Sequence, residues 1–315
     1  MTKPDVLVFS PVYDEEVMHK IGTNYNLLRL DRAKDKTTFL EKHGSKCQTL
    51  IINGHTELNQ THVNNMPNLK LVVCSSAGYE LMDTTTLQNR NIKLTNTAAA
   101  LFDDVADMAI LMILASMRNL VRGHDYVASQ RWAEKGMFPL QSSLKGKHLG
   151  LVGFGKIGQA IAKRAAVFGP NIAYHSRSKN PASGLHYFSG LADIALWADI
   201  LVVVVPGGQE TENMINEEII EKLGSSGVLV NLSRGSVLDE TSLITALKTE
   251  KLGHAALDVY KNEPRPNPEM IALDRITLYP HHASGTRETR ARMSELVHEN
   301  LDAFYAGNPL ITPVF

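Results

Sequence analysis

The chain of 315 residues reads as an α/β protein of two domains, each a parallel sheet flanked by helices, and three observations carry that reading. Short apolar runs alternate along the sequence with amphipathic or polar stretches, the pattern of strands joined by crossover helices. One long apolar segment, at residues 101–121, interrupts the alternation and divides it into two sets. The chain is also longer than a single hydrophobic core usually organises. The expected division is a first domain at residues 1–99, completed by residues 288–315, and a second at residues 100–287.

In the first set, strands are predicted at residues 6–9, 25–30, 50–53, 69–74 and 92–95, with helical spans such as 38–43 between them. Their C-terminal ends run into Ser10-Pro11, Asn53-Gly54-His55 and Ser75-Ser76-Ala77-Gly78, and an open parallel sheet binds its ligands at that edge. Residues 101–121 are almost wholly apolar outside Asp103, Asp104, Asp107, Arg118 and Asn119. That run is too long for a strand and too short for a membrane span, so it predicts a mostly buried helix bridging the domains. Asp103 and Asp104 fall in its first turn, where the helix dipole favours negative charge. Residues 122–147 are polar and aromatic, with Tyr126, Trp132, Met137 and Phe138, and two readings stay open: a loop packed on its own domain, or an arm reaching a second subunit.

The second set predicts strands at residues 172–175, 200–205, 227–232, 255–258 and 276–279, then a last helix at residues 286–306. Beyond it, Pro309, Leu310, Ile311 and Pro313 suit a tail laid on the first domain.

Bulk composition excludes several classes. With 43% hydrophobic and 21% charged residues and a formal net charge of -1, nothing points to a nucleic acid or another polyanion as partner. Small molecules and further copies of the chain are the partners expected. Cys47 and Cys74 are spaced neither as a zinc site nor as a redox pair, so both read as small buried residues in a reducing compartment. No metal site is expected. The N-terminus lacks the apolar core of a signal peptide, and the expected location is cytoplasmic.

The most informative stretch is residues 148–158, His-Leu-Gly-Leu-Val-Gly-Phe-Gly-Lys-Ile-Gly. A short apolar strand turns through Gly153 and Gly155 and enters a helix near Lys156. Gly153 permits the tight turn, Gly155 leaves room for a pyrophosphate, and Gly158 lets helix and strand pack closely. The helix N-terminus offers N–H groups and a positive dipole end to phosphate, so Phe154, Lys156 and Ile157 join the three glycines as dinucleotide-binding candidates. The second domain is therefore expected to be Rossmann-like, and the first repeats its alternation of strand and helix.

A dinucleotide fold that prefers NAD ends its second strand in Asp or Glu, which accepts hydrogen bonds from the ribose 2′-hydroxyl. Here that strand ends in His175-Ser176-Arg177-Ser178-Lys179, and no acidic residue occurs from position 160 to 191. Arg177 can fork onto a 2′-phosphate, Ser176 and Ser178 offer short donors, and Lys179 adds a point charge. NADPH is thus the expected cofactor, with NADH weaker.

Three later segments lie where strands should end: Asn231-Leu232-Ser233-Arg234-Gly235, Asp258 to Pro264 by way of Glu263, and Pro280-His281-His282-Ala283-Ser284-Gly285. They supply a fixed cation, a carboxylate and an imidazole, which suits reduction of a 2-oxo acid in a cleft between the domains. The guanidinium holds carboxylate and carbonyl, hydride adds to carbon, and an imidazolium delivers the proton. A carboxylate bonded to the imidazole favours its charged form. Val205, Pro206, Thr211, Leu232, Ser233, Ser284 and Gly285 complete the expected cofactor contacts. Arg234 alone reads as a structural ion-pair residue, and Glu263 alone as a surface turn acid; together they read as a site.

At these residues the chain resembles the D-isomer-specific 2-hydroxyacid dehydrogenase family, and the resemblance extends from Ser76-Ala77-Gly78-Tyr79 through Asp103-Asp104-Val105-Ala106-Asp107 to Pro309-Leu310-Ile311-Thr312-Pro313. Ser176-Arg177-Ser178-Lys179 and Ser284-Gly285-Thr286 resemble its NADPH-dependent hydroxypyruvate, glyoxylate and hydroxyphenylpyruvate reductases. The resemblance implies that Arg234 binds the substrate carboxylate, that His281 is the acid/base with Glu263 its partner, and that Asp258 meets the nicotinamide amide. It also implies that the backbone at Ala77 and Gly78, with Asn53 and Ser76 beside them, holds the substrate. The implied product is a D-2-hydroxy acid made from glyoxylate, hydroxypyruvate or an arylpyruvate, by a homodimer formed through the second domain. Pro206-Gly207-Gly208-Gln209 and Glu80 depart from the family's pattern. Two other readings stay open: NAD-linked oxidation of a D-2-hydroxy acid, and a non-catalytic nucleotide-sensing protein like the corepressors that share this fold.

Overall fold

Two parallel sheets take up all twelve strands among residues 3–315, the residues that the computed structural model describes. The chain divides into two units, one reaching to Leu101 and resumed at Ser284–Phe315, the other Phe102–Ala283.

The first unit holds β1 (Asp5–Val8), β2 (Asn26–Arg29), β3 (Thr49–Ile52), β4 (Leu71–Cys74) and β5 (Lys93–Thr95), in the order β2-β1-β3-β4-β5. Thr-Leu-Ile-Ile and Leu-Val-Val-Cys are buried throughout, as strands covered on both faces must be. Successive side chains point to opposite faces: Val6, Val8, Ile51, Leu71 and Val73 pack with Val297 and Leu301 of the helix Arg287–Tyr305, while Leu7, Leu50, Val72 and Cys74 pack with Leu58, Val63 and Leu87. The C-terminal tail closes the open edge of β5. Val314 N–H donates to Leu94 O and Asn96 N–H to Thr312 O, and the buried Asn300 accepts the N–H groups of Ile311 and Thr312 on its side-chain oxygen.

The second unit holds β6 (His148–Val152), β7 (Asn171–His175), β8 (His186–Phe188), β9 (Ile200–Val203), β10 (Val228–Asn231), β11 (His254–Leu257) and β12 (Ile276–Leu278). Their order is β12-β11-β10-β9-β6-β7-β8, so the chain winds outward from β6 on one side and from β9 on the other. A crevice for ligand opens at such a reversal, beyond the C-terminal ends of the strands. The long apolar segment is the helix Phe102–Arg118, packed against the helix Lys156–Ala165 and against β10 and β11. Arg164 of the second helix bonds Asp103 at 2.8 Å and Asp107 at 2.5 Å, which gives the first-turn Asp103 an ion partner besides the dipole and pairs Asp107 one turn further on.

Three local features differ from the sequence expectation. The stretch after residue 119 begins as two helices, Leu120–Ala128 and Arg131–Lys135, neither with a buried residue. In the first, Arg122-Gly123-His124-Asp125 is a polar run with a glycine, which reads as loop. β8 is only three residues long and opens on His186. Tyr25, expected in a strand, precedes β2 and is buried with its hydroxyl donated to Asp302. Among the described residues, no helix is long and apolar enough to cross a membrane.

His254, at the start of β11, is 6% exposed, with its Nε2 3.1 Å from Thr277 Oγ1. Burial, aided by the charges of Arg122 and Arg275, pushes its pKa down to about 4 from 6.5. The unfolded chain therefore binds a proton here that the folded chain refuses. The contribution is complete above pH ~6.5 and is lost as pH falls toward ~4, about 2 kcal/mol of it between pH 7 and pH 5. Urea unfolding of the parent and His254→Gln at those two pH values measures it; the variant should lose about 2 kcal/mol less stability on acidification, and equal losses would contradict the assignment.

Candidate active site

The turn after β6 is built by steric necessity. Gly153 has φ +99°, and a Cβ there would stand 2.5 Å from Val204 O. A Cβ on Gly158 would meet Gly153 O at 2.3 Å, so only glycine lets the helix lie this close to the turn. Gly155 is the opposite case: a Cβ would meet nothing within 4 Å. It is the N-cap of the helix Lys156–Ala165, with no side chain to occupy the first N–H groups, and those groups face open space. A pyrophosphate fits there. Phe154 contributes only backbone, because its ring is 9% exposed and stacks on Tyr174 with centroids 4.0 Å apart.

Beyond β7, Ser176 donates its hydroxyl to Ser178 O at 2.7 Å, which commits one of the two expected serine donors to the loop itself. Arg177 is 90% exposed, and its Nη1 lies 3.9 Å from Oε2 of Glu210. Sequence reasoning did not single out Glu210, which lies on the far side of β9 in the chain. Thr211 donates to Pro206 O at 2.8 Å and approaches Gly208 O at 3.1 Å, so its hydroxyl shapes the loop after β9. Val205 packs partly buried against the core.

The chemical groups stand on the ends of β10, β11 and β12. Asn231 closes β10 and organises the loop beyond it: its side-chain oxygen accepts the N–H and hydroxyl of the buried Ser233, and its amide donates to Arg234 O. Arg234 is extended (φ -142°, ψ 152°), with Nη1 donating to Ser233 O at 2.7 Å. At Gly235 a Cβ would fall 1.9 Å from the carbonyl carbon of Tyr260. Glycine thus lets the arginine segment press against the one carrying Glu263. Glu263 accepts Tyr260 N–H on Oε1 at 2.9 Å, and its Oε2 is 2.6 Å from His281 Nδ1. Both side chains keep about a third of their exposure, 30% and 32%, as reacting groups require. Glu240, also missed in the sequence, accepts Lys261 N–H at 2.7 Å and steadies the same segment.

His281 has φ +49°, a left-handed backbone that a non-glycine residue adopts only when held. Its N–H donates to Asp258 O at 2.7 Å, and the Asp258 carboxylate, 2% exposed, accepts the N–H groups of His282 and Ala283 at 2.8 and 3.0 Å. Burial still pushes the Asp258 carboxyl above its ordinary range, although both N–H bonds oppose the shift. Asp258 is therefore the anchor of the histidine loop. Ser284 and Gly285 begin the first unit's C-terminal segment.

In the first unit, the candidate loop also has a definite form. Ser76 accepts Gly54 N–H on its hydroxyl, Ser10 accepts Asn53 N–H, and a Cβ on Gly54 would clash with Gly78 O at 2.1 Å. The carbonyls of Ala77 and Gly78 point to Asn96 Nδ2 and Cys74 Sγ, at 2.9 and 3.5 Å. Among the described residues, the N–H groups of Ala77 and Gly78 have no partner, leaving two donors for an anion. Cys47 and Cys74 are buried thiols, each pushed up to about 12 by burial.

A dinucleotide crevice and a hydrogen-bonded imidazole–carboxylate pair on one sheet define a nicotinamide-dependent oxidoreductase. Comparison with known proteins gives the family. Residues 110–283 match the family model for the D-isomer specific 2-hydroxyacid dehydrogenase, NAD binding domain. The chain is 38% identical over 309 residues to glyoxylate/hydroxypyruvate reductase A HPR2 of Arabidopsis thaliana, covering 98% of both chains. Among solved structures it resembles the 2-hydroxyacid dehydrogenase of Ketogulonicigenium vulgare Y25 (34% identity, TM-score 0.94, covering 100% and 99%). It also resembles an NADPH-dependent glyoxylate/hydroxypyruvate reductase of Sinorhizobium meliloti in complex with NADP and malonate (32%, 0.89, covering 99% and 97%). The chain belongs to the D-isomer specific 2-hydroxyacid dehydrogenase family.

Asp258→Asn tests the anchor. An amide offers one acceptor where the carboxylate offers two, so one buried N–H loses its partner at a cost of ~1–3 kcal/mol. The urea midpoint should fall accordingly, with protection of the amides of His282 and Ala283 from hydrogen exchange reduced; unchanged protection would remove Asp258 from this role.

Proposed function

We propose that this protein reduces a small 2-oxo acid, glyoxylate, hydroxypyruvate or an arylpyruvate, to the D-2-hydroxy acid with NADPH. The observation that carries the reading is the 2.6 Å bond between His281 Nδ1 and Glu263, on a segment pressed against the one bearing Arg234. The names of the similar reductases support the substrate class, and the acid-free end of β7 with Arg177 and Lys179 supports the phosphorylated cofactor.

When bound, the reduced nicotinamide supplies the hydride that adds to the carbonyl carbon. Negative charge then develops on the substrate oxygen. Glu263 fixes the imidazole through Nδ1, and His281 is the acid proposed to deliver the proton. Arg234, whose Nη1 donates to Ser233 O, carries the fixed positive charge proposed to attract the substrate carboxylate and to polarise the carbonyl. In the first unit, the backbone N–H groups of Ala77 and Gly78 are proposed as donors to a carboxylate. His281→Ala should lower turnover of glyoxylate and hydroxypyruvate by roughly a hundredfold to ten thousandfold, while NADPH binding measured by fluorescence persists. Full activity would move the acid elsewhere.

We also propose a homodimer through the second unit. Leu120, Val127, Trp132, Met137 and Leu140 are 57%, 55%, 62%, 84% and 92% exposed, a larger apolar display than one chain uses by itself. The double variant Trp132→Glu/Met137→Glu should sediment as a monomer where the parent sediments as a dimer; a monomeric parent would refute the assignment.

A further inference from the structure

The sheet order places β6 between β7 and β9, so the loops after β7 and β9 flank the glycine turn from its two sides. They carry opposite charges toward one another. Arg177 follows β7 by two residues, and Glu210 stands in the short helical turn Gln209–Thr211 beyond β9. Their charged atoms are 3.9 Å apart, on side chains 90% and 86% exposed. Glu210 is not a wandering surface acid, because Thr211 ties its turn down through hydrogen bonds to the carbonyls of Pro206 and Gly208.

The contact creates a competition. Arg177 is the guanidinium proposed for the 2′-phosphate, and that cation already faces a carboxylate. A dinucleotide without the phosphate leaves the pair intact. One that carries it must draw Arg177 away and place a second anion near Glu210. We propose that Glu210 is a specificity-determining residue that weakens the preference for 2′-phosphorylated dinucleotides by competing for Arg177. This inference rests on the assignment of Arg177 to the phosphate. The pair is exposed, so the effect is modest: an ion pair in water is worth a factor of a few in affinity and is screened by salt.

Calorimetric titration of the intact protein with NADP⁺, NAD⁺ and adenosine 2′-monophosphate tests it in the parent, Glu210→Gln, Arg177→Ala and the double variant. Glu210→Gln should tighten NADP⁺ and adenosine 2′-monophosphate by about two- to fivefold, leave NAD⁺ unchanged, and lose the gain at high salt. In the Arg177→Ala background the same substitution should gain less. An unchanged NADP⁺ affinity in Glu210→Gln, or equal tightening of NAD⁺, would overturn the role of Glu210. Arg177→Ala itself should weaken NADP⁺ by roughly tenfold to a hundredfold relative to NAD⁺. If it does not, the underlying assignment of Arg177 fails instead, and the two failures are told apart.

Discussion

The carboxylate of Asp258 is the constraint on which the reacting groups depend. A carboxylate that is 2% exposed must find donors or leave the core, and it finds them in the N–H groups of His282 and Ala283. Meeting that requirement ties the end of β11 to the loop after β12. The same residue's carbonyl takes the N–H of His281, which holds a left-handed backbone at the acid/base candidate. Glu263 then meets the ring from a segment that Tyr260 N–H and Glu240 fix in turn. Each bond orients the next, so the imidazole's direction is decided by Glu263 and by the backbone contacts that hold both segments.

Close approach does for the arginine what hydrogen bonding does for the histidine. With no Cβ at Gly235, the backbone after Arg234 lies against the Tyr260–Lys261 peptide, and the ends of β10 and β11 converge. At the glycine turn the same device has two uses. Gly153 and Gly158 remove atoms that the protein itself would strike, whereas a Cβ on Gly155 would meet nothing within 4 Å, so packing does not account for that glycine.

The architecture was legible because parallel strands buried on both faces are written as apolar runs, as at Thr49–Ile52 and Leu71–Cys74. Arg234, Glu263 and His281 were legible as a set because each comes after a strand end, and strand ends on one edge of a sheet converge. The features that escaped depend on contacts between distant positions. Nothing around Glu210 announces that its carboxylate will face Arg177, and nothing around Glu240 announces that it will accept Lys261 N–H. Helix Leu120–Ala128 escaped for a different reason: Arg122, Gly123, His124 and Asp125 interrupt its apolar residues with a polar run that includes a glycine, which reads as loop.

The His281–Glu263 and Arg177–Glu210 pairs of the second unit differ in what holds them. His281 and Glu263 sit 2.6 Å apart in a web of backbone bonds, where changing one member disturbs several others. Arg177 and Glu210 stand 3.9 Å apart in water, on loops whose anchoring does not involve the charged atoms. Proton delivery needs a group placed to within a few tenths of an ångström, and only an interlocked site provides that. Choosing between two dinucleotides needs only a small difference in free energy, which exposed charges supply without strain on the fold. Substitutions at Arg177 or Glu210 can therefore change that pair while leaving His281 and Glu263 in place.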